Sequence, residues 1–424
     1  MNEKLFNEYR DYEIEIFFQE VEIKNYQFKY KKLDSVQASK SIGAGVRVVK
    51  DGKIGQYYST EANPNYKEMI EKAIISIKYS RDGKFLPSIV ESVVDTNVKK
   101  SISESEINEL IKEIQECIET HTTDGVTFPE SSLSLNKTKQ GFFTSSGKEL
   151  LQVNDTYTSV FYAKATSETE EESGYDYIVT SDIRALDLEK IAKNAKEKTK
   201  KKLGALKFSE NLMVELDYPI VIELLELLLF SFSAENIVKK QSFFLQERYK
   251  FLDKKLSIID DGLLNGGVAT TLFDGEGQKR QTTPLVKQGE VVNYLSNMET
   301  AKVLGIMSSG NASRKNLTQL GVAPTNIVVS GGTISEDEYQ SFGRRVCITE
   351  VMGIHMVNPI TGEFSLGAKG FLHENGQQKP IRGFVISGNF IEVFKNIEAL
   401  SPIQKQCGNF LVPKIMVNNI KITG

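Results

Sequence analysis

Histidine is scarce in this chain: 424 residues carry three, His121, His355 and His373, and no two are close in sequence. A helical zinc motif needs two imidazoles about one turn apart so that both face one metal. That arrangement cannot be assembled here. His373-Glu374 begins like such a motif, but Asn375-Gly376 follows, which is a turn signal, and no second histidine arrives. Cysteine is equally sparse. Cys117, Cys347 and Cys407 are odd in number and far apart, so no disulfide framework is expected and a reducing cytoplasm is the natural setting. Long hydrophobic runs are missing too. The most apolar stretch, 220–232, is too short to span a bilayer and contains Glu223 and Glu226, so it reads as a buried helix and no membrane association is expected. The first ten residues have no apolar core of a secretory signal, and none is expected. A formal net charge of -4 provides no basic footprint for nucleic acid.

Cofactor and nucleophile signatures are also lacking. Gly43-Ala-Gly45 and Gly275-Glu-Gly277 have neither the third glycine of a dinucleotide fingerprint nor the lysine of a phosphate loop. Ser308-Ser309-Gly310 is not a nucleophile elbow, and Ser145-x-x-Lys148 lies in a stretch that reads as a hairpin turn. Asp260, Asp261, Asp274 and Glu276 form an acidic group that would suit a hard cation, although carboxylates beside glycine turns more often stabilise the turn. By residue chemistry alone the chain shows no assembled active site.

What is present is a pattern of alternating strands and amphipathic helices. Tyr12, Ile14, Ile16, Val21, Ile23, Tyr26, Phe28 and Tyr30 mark half-buried strands, and Asp51-Gly52 supplies a type I′ hairpin turn. Met69 to Ile77 and Ile107 to Ile118 carry apolar stripes at helical spacing, the second behind the capping box Ser103-x-x-Glu106. Strands return around 132–135, 141–144 and 156–165, and the acidic run 168–172 reads as an exposed loop or hairpin tip. A third helix is expected over Leu188–Leu203, with Asp187 as N-cap, Gly204 after it and a solvated, lysine-rich last turn. Beyond about residue 210, glycine-punctuated short apolar runs predict a β-rich, curved or barrel-like unit. The expected architecture is therefore α+β: an N-terminal mixed α/β domain over 1–210 with antiparallel strands and amphipathic helices, and a β-rich C-terminal domain over 211–424.

Several ordered segments carry a family resemblance across nearly the whole chain. Among them are Ser257-Ile-Ile-Asp260-Asp261-Gly, Thr271-Leu-Phe-Asp274-Gly275-Glu276-Gly277, Gly305-Ile-Met-Ser-Ser-Gly310-Asn311, Gly331-Gly332-Thr-Ile-Ser-Glu336 and Ile386-Ser-Gly-Asn389, with Gly43-Ala-Gly45-Val-Arg47 near the start. Together they resemble the TldD/PmbA family, known also as modulators of DNA gyrase. In that family the TldD branch is a zinc metalloprotease with an H-E-x-x-x-H motif on a helix. The resemblance sets that motif on Leu225, Glu226 and Phe230, where both ligand positions are apolar. Cys407-Gly408 partly matches the branch's cysteine ligand, with a buried structural thiol as the plainer reading, and Glu223 and Glu226 read plainly as the wetter face of an apolar helix. These departures resemble the zinc-less PmbA (TldE) branch. The resemblance implies a non-catalytic subunit with no cofactor of its own, zinc residing in a TldD-like protease partner, and an extended peptide as substrate of the pair. Asp274, Glu276, Tyr294 and Asn311 are the candidate peptide- or partner-binding residues. An independent metallopeptidase with unrecognised ligands and a peptide-binding homo-oligomer, including a homodimer of the isolated chain, remain the alternatives.

Overall fold

A computed structural model describes residues 3–80, 85–86, 89, 92–94, 102–246 and 250–424. The chain opens with a long antiparallel hairpin, β1 (Glu13–Lys29) and β2 (Lys32–Lys50), followed by β3 (Lys53–Ser59). Between β2 and β3, Asp51 (φ 50°) and Gly52 (φ 72°) both take the left-handed conformation that the type I′ turn demands. Helix α1 (Tyr66–Ser76) packs Met69, Ile70 and Ala73 onto this hairpin. The short β4 (Val93–Val94) leads to α2 (Glu104–His121), whose start is a full capping box between Ser103 and Glu106. Strands β5 (Val126–Thr144), β6 (Glu149–Thr166) and β7 (Glu171–Thr180) complete a 7-stranded sheet in the order β3-β2-β1-β5-β6, with β4 and β7 both on β6. Helix α3 (Leu188–Lys200), capped by Asp187, shares a core with α2 around Phe128, Phe161 and Ile191. It stops three residues short of the expected Leu203, and Gly204 still takes the positive φ of a helix-ending turn (77°).

The remainder is a large mixed sheet with helices laid against it, and a separate two-stranded pair. In chain order the elements are β8 (Leu206–Lys207), β9 (Met213–Leu216), α4 (Tyr218–Phe232), α5 (Ala234–Val238), β10 (Ile258–Asp261), β11 (Thr282–Lys287), β12 (Glu290–Val291), α6 (Met298–Leu304), β13 (Ala312–Arg314), β14 (Leu320–Val322), β15 (Ile327–Val329), α7 (Glu336–Ser341), β16 (Arg345–Met352), β17 (Glu363–Glu374), β18 (Gln377–Asn389), α8 (Phe390–Lys395), β19 (Ile397–Cys407), β20 (Phe410–Val417) and β21 (Lys421–Thr423). The 12-stranded sheet runs β12-β11-β10-β15-β20-β9-β16-β17-β18-β21, with β19 beside β20 and β8 beside β18, and the separate pair is β13 with β14. Antiparallel and parallel pairs are mixed and the strand order does not close on itself, so the architecture is α+β without a barrel. α4 is apolar because it is buried: Ile220, Val221, Leu224, Leu225, Leu228 and Phe232 enter the largest core. The buried helix expected over 220–232 is α4, which ends where Ser233 leaves the helical conformation (ψ 121°) before α5.

A buried charge cluster fastens the two halves together. Glu15 of β1 pairs with Arg47 of β2 and with Arg314 of β13, and all three side chains are nearly inaccessible to water. The Arg314 guanidinium also lies 4.3 Å from the Phe17 ring centroid and 5.2 Å from that of Phe142. Burial alone would raise the Glu15 pKa, but the two arginines hold it below the ordinary range. Beside this cluster, a Cβ on Gly45 would sit 2.1 Å from the Leu317 carbonyl oxygen, so only glycine allows the close approach.

Candidate functional site

A cleft of about 780 Å³ opens where the first sheet meets the second. Its floor is the exposed face of α4. Helical spacing of three and four residues brings Pro219, Ile222, Glu223 and Glu226 into line there, opposite the apolar face that enters the core. One wall comes from β16, β17 and β19, which contribute Cys347, His373, Lys405 and Cys407. The other comes from β7 and the end of α3, which contribute Tyr175, Tyr177 and three lysines, Lys198, Lys201 and Lys202. Alternation along β7 explains the tyrosines. Glu172, Gly174 and Asp176 face inward, while Tyr175 and Tyr177 face the opening and stack at 6.3 Å between ring centroids.

The cleft's charges are of two kinds. Most are paired: Lys198 with Asp176 at 2.7 Å, Lys202 with Glu350, and Lys414 with Glu215 and Asp217 at 3.1 Å each. Lys405 has an aromatic neighbour, its ammonium 5.8 Å from the Tyr218 centroid. The α4 carboxylates differ. Glu223 Oε2 is buried and has no hydrogen-bond partner among the described residues. Burial first, and the neighbouring Glu226 second, push the Glu223 pKa up to about 7; burial also raises that of Glu226. At neutral pH Glu223 can accept or release a proton, and both carboxylates can receive a cationic group at the cleft floor. Burial raises the Cys407 thiol pKa despite Lys405 and Lys198 nearby, so this sulfur is a poor thiolate. His373 is held towards the neutral imidazole by burial.

These residues do not suit zinc. A zinc site needs three or four nitrogen, sulfur or oxygen donors converging within about 2.0–2.3 Å of one point. Glu223, Glu226, His373 and Cys407 come from different strands and one helix. Among the described residues no group of three or more His, Cys, Asp or Glu side chains is placed to hold a metal ion. No step through a metal follows for this chain.

Several sequence expectations change at this site. Leu225 is fully buried on the core side of α4, and Phe230 does not line the cleft. A motif register of Leu225, Glu226 and Phe230 would therefore aim its first ligand position into the core. The open face carries Ile222, Glu223 and Glu226 instead, while Leu227 packs against the core. The lysine-rich end of α3 is solvated, with Lys198, Lys200 and Lys201 exposed, but Lys198 also pairs with Asp176, and Lys202 just beyond the helix is partly buried on Glu350. The acidic run 168–172 is a hairpin tip only in part, because Glu172 is buried and binds Lys369 and Arg382.

None of Asp274, Glu276, Tyr294 or Asn311 lines the cleft. Asp274 accepts from the backbone N–H groups of Glu276, Gln278 and Ala312, and Glu276 accepts from that of Met298. Asn311 donates to Asp260, which also accepts from Thr325, and Tyr294 packs beside Phe244. These carboxylates hold turns together, the plainer of their two readings. What sequence reasoning missed is the tyrosine pair, whose period-two alternation was a visible signal, and the lysine partners, which lie far away in sequence.

Comparison with known proteins decides the family. Residues 209–424 match the model of the PmbA/TldA metallopeptidase C-terminal domain, and residues 14–76 match that of domain 1. This chain belongs to the PmbA/TldD family. An uncharacterised relative from Methanocaldococcus jannaschii is 27% identical over 412 residues, covering 96% of this chain and 95% of that protein. The metalloprotease PmbA of Escherichia coli O157:H7 is 31% identical over 191 residues, covering 43% of this chain and 40% of that protein. Among solved structures, a Thermotoga maritima protein described as a proposed modulator of a DNA gyrase superposes with a TM-score of 0.88 at 24% identity, over 99% of this chain and 98% of that one. TldE from Thermococcus kodakarensis superposes with a TM-score of 0.84 at 20% identity, over 100% and 98%. At those identities the superpositions establish a shared PmbA/TldD fold. Among the described residues no helix is long and apolar enough to cross a membrane.

Proposed function

We propose that this chain is the peptide-binding, zinc-less subunit of a PmbA/TldD protease, acting beside a TldD-type zinc subunit on unfolded or extended peptides. The observation that carries the reading is the floor of the cleft. The α4 face turned to the opening bears Ile222, Glu223 and Glu226 and no imidazole, in a cavity of about 780 Å³. That volume suits several residues of extended chain. The cleft also offers what such a ligand needs: a tyrosine platform, the outer edge of β7 for strand addition, two carboxylates for an ammonium or guanidinium, and Lys405 for a carboxylate. Family membership supports the link to proteolysis, as do the PmbA and TldE names of the relatives.

Zinc analysis and a peptidase assay, on the chain alone and mixed with a TldD-type protein, test the proposal together. Less than one-tenth equivalent of zinc in the isolated chain, with cleavage appearing or rising in the mixture, is the expected result. Stoichiometric zinc with chelator-sensitive cleavage by the chain alone would overturn it.

A further inference from the structure

Between the floor of α4 and the wall of β7, the cleft brings two unpaired carboxylates and two open aromatic rings together. On the floor, Glu223 and Glu226 stand three residues apart on α4, a spacing that sets side chains about 5–6 Å apart on one helix face. No cation or hydrogen bond among the described residues holds either carboxylate, and Glu223 Oε2 is shut away from water without a partner. The cleft's lysines do not fill that role, since Lys198, Lys202 and Lys414 are bound to Asp176, Glu350, Glu215 and Asp217. On the wall, Tyr175 and Tyr177 are 52% and 38% exposed, with their ring planes 29° apart. Floor and wall lie within electrostatic reach of each other. Burial is the first cause of the raised phenol pKa at both tyrosines; the charge of Glu223 adds to it at Tyr175, and that of Glu226 at Tyr177.

A cation fits this combination better than any neutral group, because the face of a tyrosine ring attracts positive charge and a carboxylate pairs with it. Shape narrows the choice among cations. A guanidinium is planar and weakly hydrated, and its N–H donors form a fork, so it can lie against a ring and reach two carboxylates at once. A lysine ammonium is a compact, strongly hydrated charge that loses more hydration on entering a half-buried site and presents no face to stack. We infer that Tyr175, Tyr177, Glu223 and Glu226 form a subsite for the arginine side chain of a bound extended peptide, its guanidinium lying against the tyrosine rings and bridging the two carboxylates. This rests on the peptide-binding reading for the remainder of the ligand and adds a sequence preference to it: arginine at the peptide position that sits over α4.

The test is binding of labelled extended peptides to the full chain, each acetylated and amidated at its ends. One carries a single arginine; the others replace it with citrulline, which keeps the shape and loses the charge, or with lysine. The arginine peptide is expected to bind about tenfold tighter than the citrulline peptide and severalfold tighter than the lysine peptide. The double substitution E223Q/E226Q, verified as folded by circular dichroism, should bring the ratio of arginine to citrulline binding to about one. Equal binding of the arginine and citrulline peptides overturns the inference and leaves the peptide-binding reading standing. So do a preference that survives E223Q/E226Q, and lysine binding as tightly as arginine. A gain from freeing the N-terminal amine that exceeds the gain from arginine overturns it too, and would give the carboxylates to a chain terminus. If no peptide binds, the peptide-binding reading fails by itself, and N-acetylarginine amide decides the subsite: carboxyl carbon resonances of Glu223 and Glu226 that shift support it, and unmoved ones overturn it.

Discussion

Asp260, Asp274 and Glu276 share their chemistry with Glu223 and Glu226 and little else. The first three are deeply buried, yet nearly every oxygen they present meets a backbone N–H, a hydroxyl or an amide. Glu223 lies half-buried and Glu226 exposed at the floor of a wide cleft, and one oxygen of Glu223 has no partner among the described residues. Burial raises the pKa in both groups, to about 7 for Glu276 and for Glu223 alike. A raised pKa therefore does not distinguish a structural carboxylate from a functional one. The distribution of hydrogen bonds does: a turn carboxylate is spent on its own chain, while a carboxylate held for a ligand is left unspent.

That contrast breaks first at Asp274. Asp274→Ala strands three buried N–H donors, each worth about 1–3 kcal/mol when left unsatisfied. Denaturant unfolding should show a loss of roughly 3 kcal/mol or more, and a loss below about 1 kcal/mol would put Asp274 with the unspent group. The reverse pattern is expected at the cleft. Tyr177→Ala should leave stability nearly unchanged and weaken binding of a labelled extended peptide about tenfold, or about 1.4 kcal/mol; fluorescence anisotropy measures it.

The third effect is smaller and depends on pH. The folded-state pKa of Glu223 is raised above its ordinary value of 4.5, so the native state binds the extra proton. Stability from this group is fully present below about pH 4.5 and is lost as pH rises towards about 7. Because Glu223 is partly solvated, the discounted size is on the order of 1 kcal/mol. Glu223→Gln should therefore stabilise the protein at pH 8 relative to wild type and make no difference at pH 4, as unfolding curves at the two values would reveal. The smallest effect sharpens the comparison within the pair. Glu226→Gln removes the like charge beside Glu223 and should lower its titration midpoint, read by carbon NMR of the carboxyl. An unmoved midpoint would mean the two groups do not interact.

Local chemistry was legible in the sequence, and long-range facing was not. The Asp51-Gly52 turn, the Ser103–Glu106 capping box and the Asp187 cap follow from residues within a few positions of each other, and each is present. The site depends on which face of α4 meets which distant strand. Leu225 and Glu226 are neighbours in sequence, but about 100° of helical rotation sends one into the core and the other to the opening. Lys202, just past the end of α3, is held by Glu350 of β16, a partner that no local signal announces. Ser233 ends α4 within an apolar run, where the carbonyl of Leu295 receives the Ala234 N–H, and no local signal announces that partner.

Hydrogen exchange with and without a bound extended peptide tests the central claim most directly, because it reports on both carboxylate regions in one experiment. The account predicts new protection in β7 around Tyr175–Tyr177, in the first turns of α4 and in β19 near Lys405–Cys407, with the turns around Asp274 and Asn311 unchanged. Protection confined to the Asp274–Asn311 region, with none at the cleft, would contradict it.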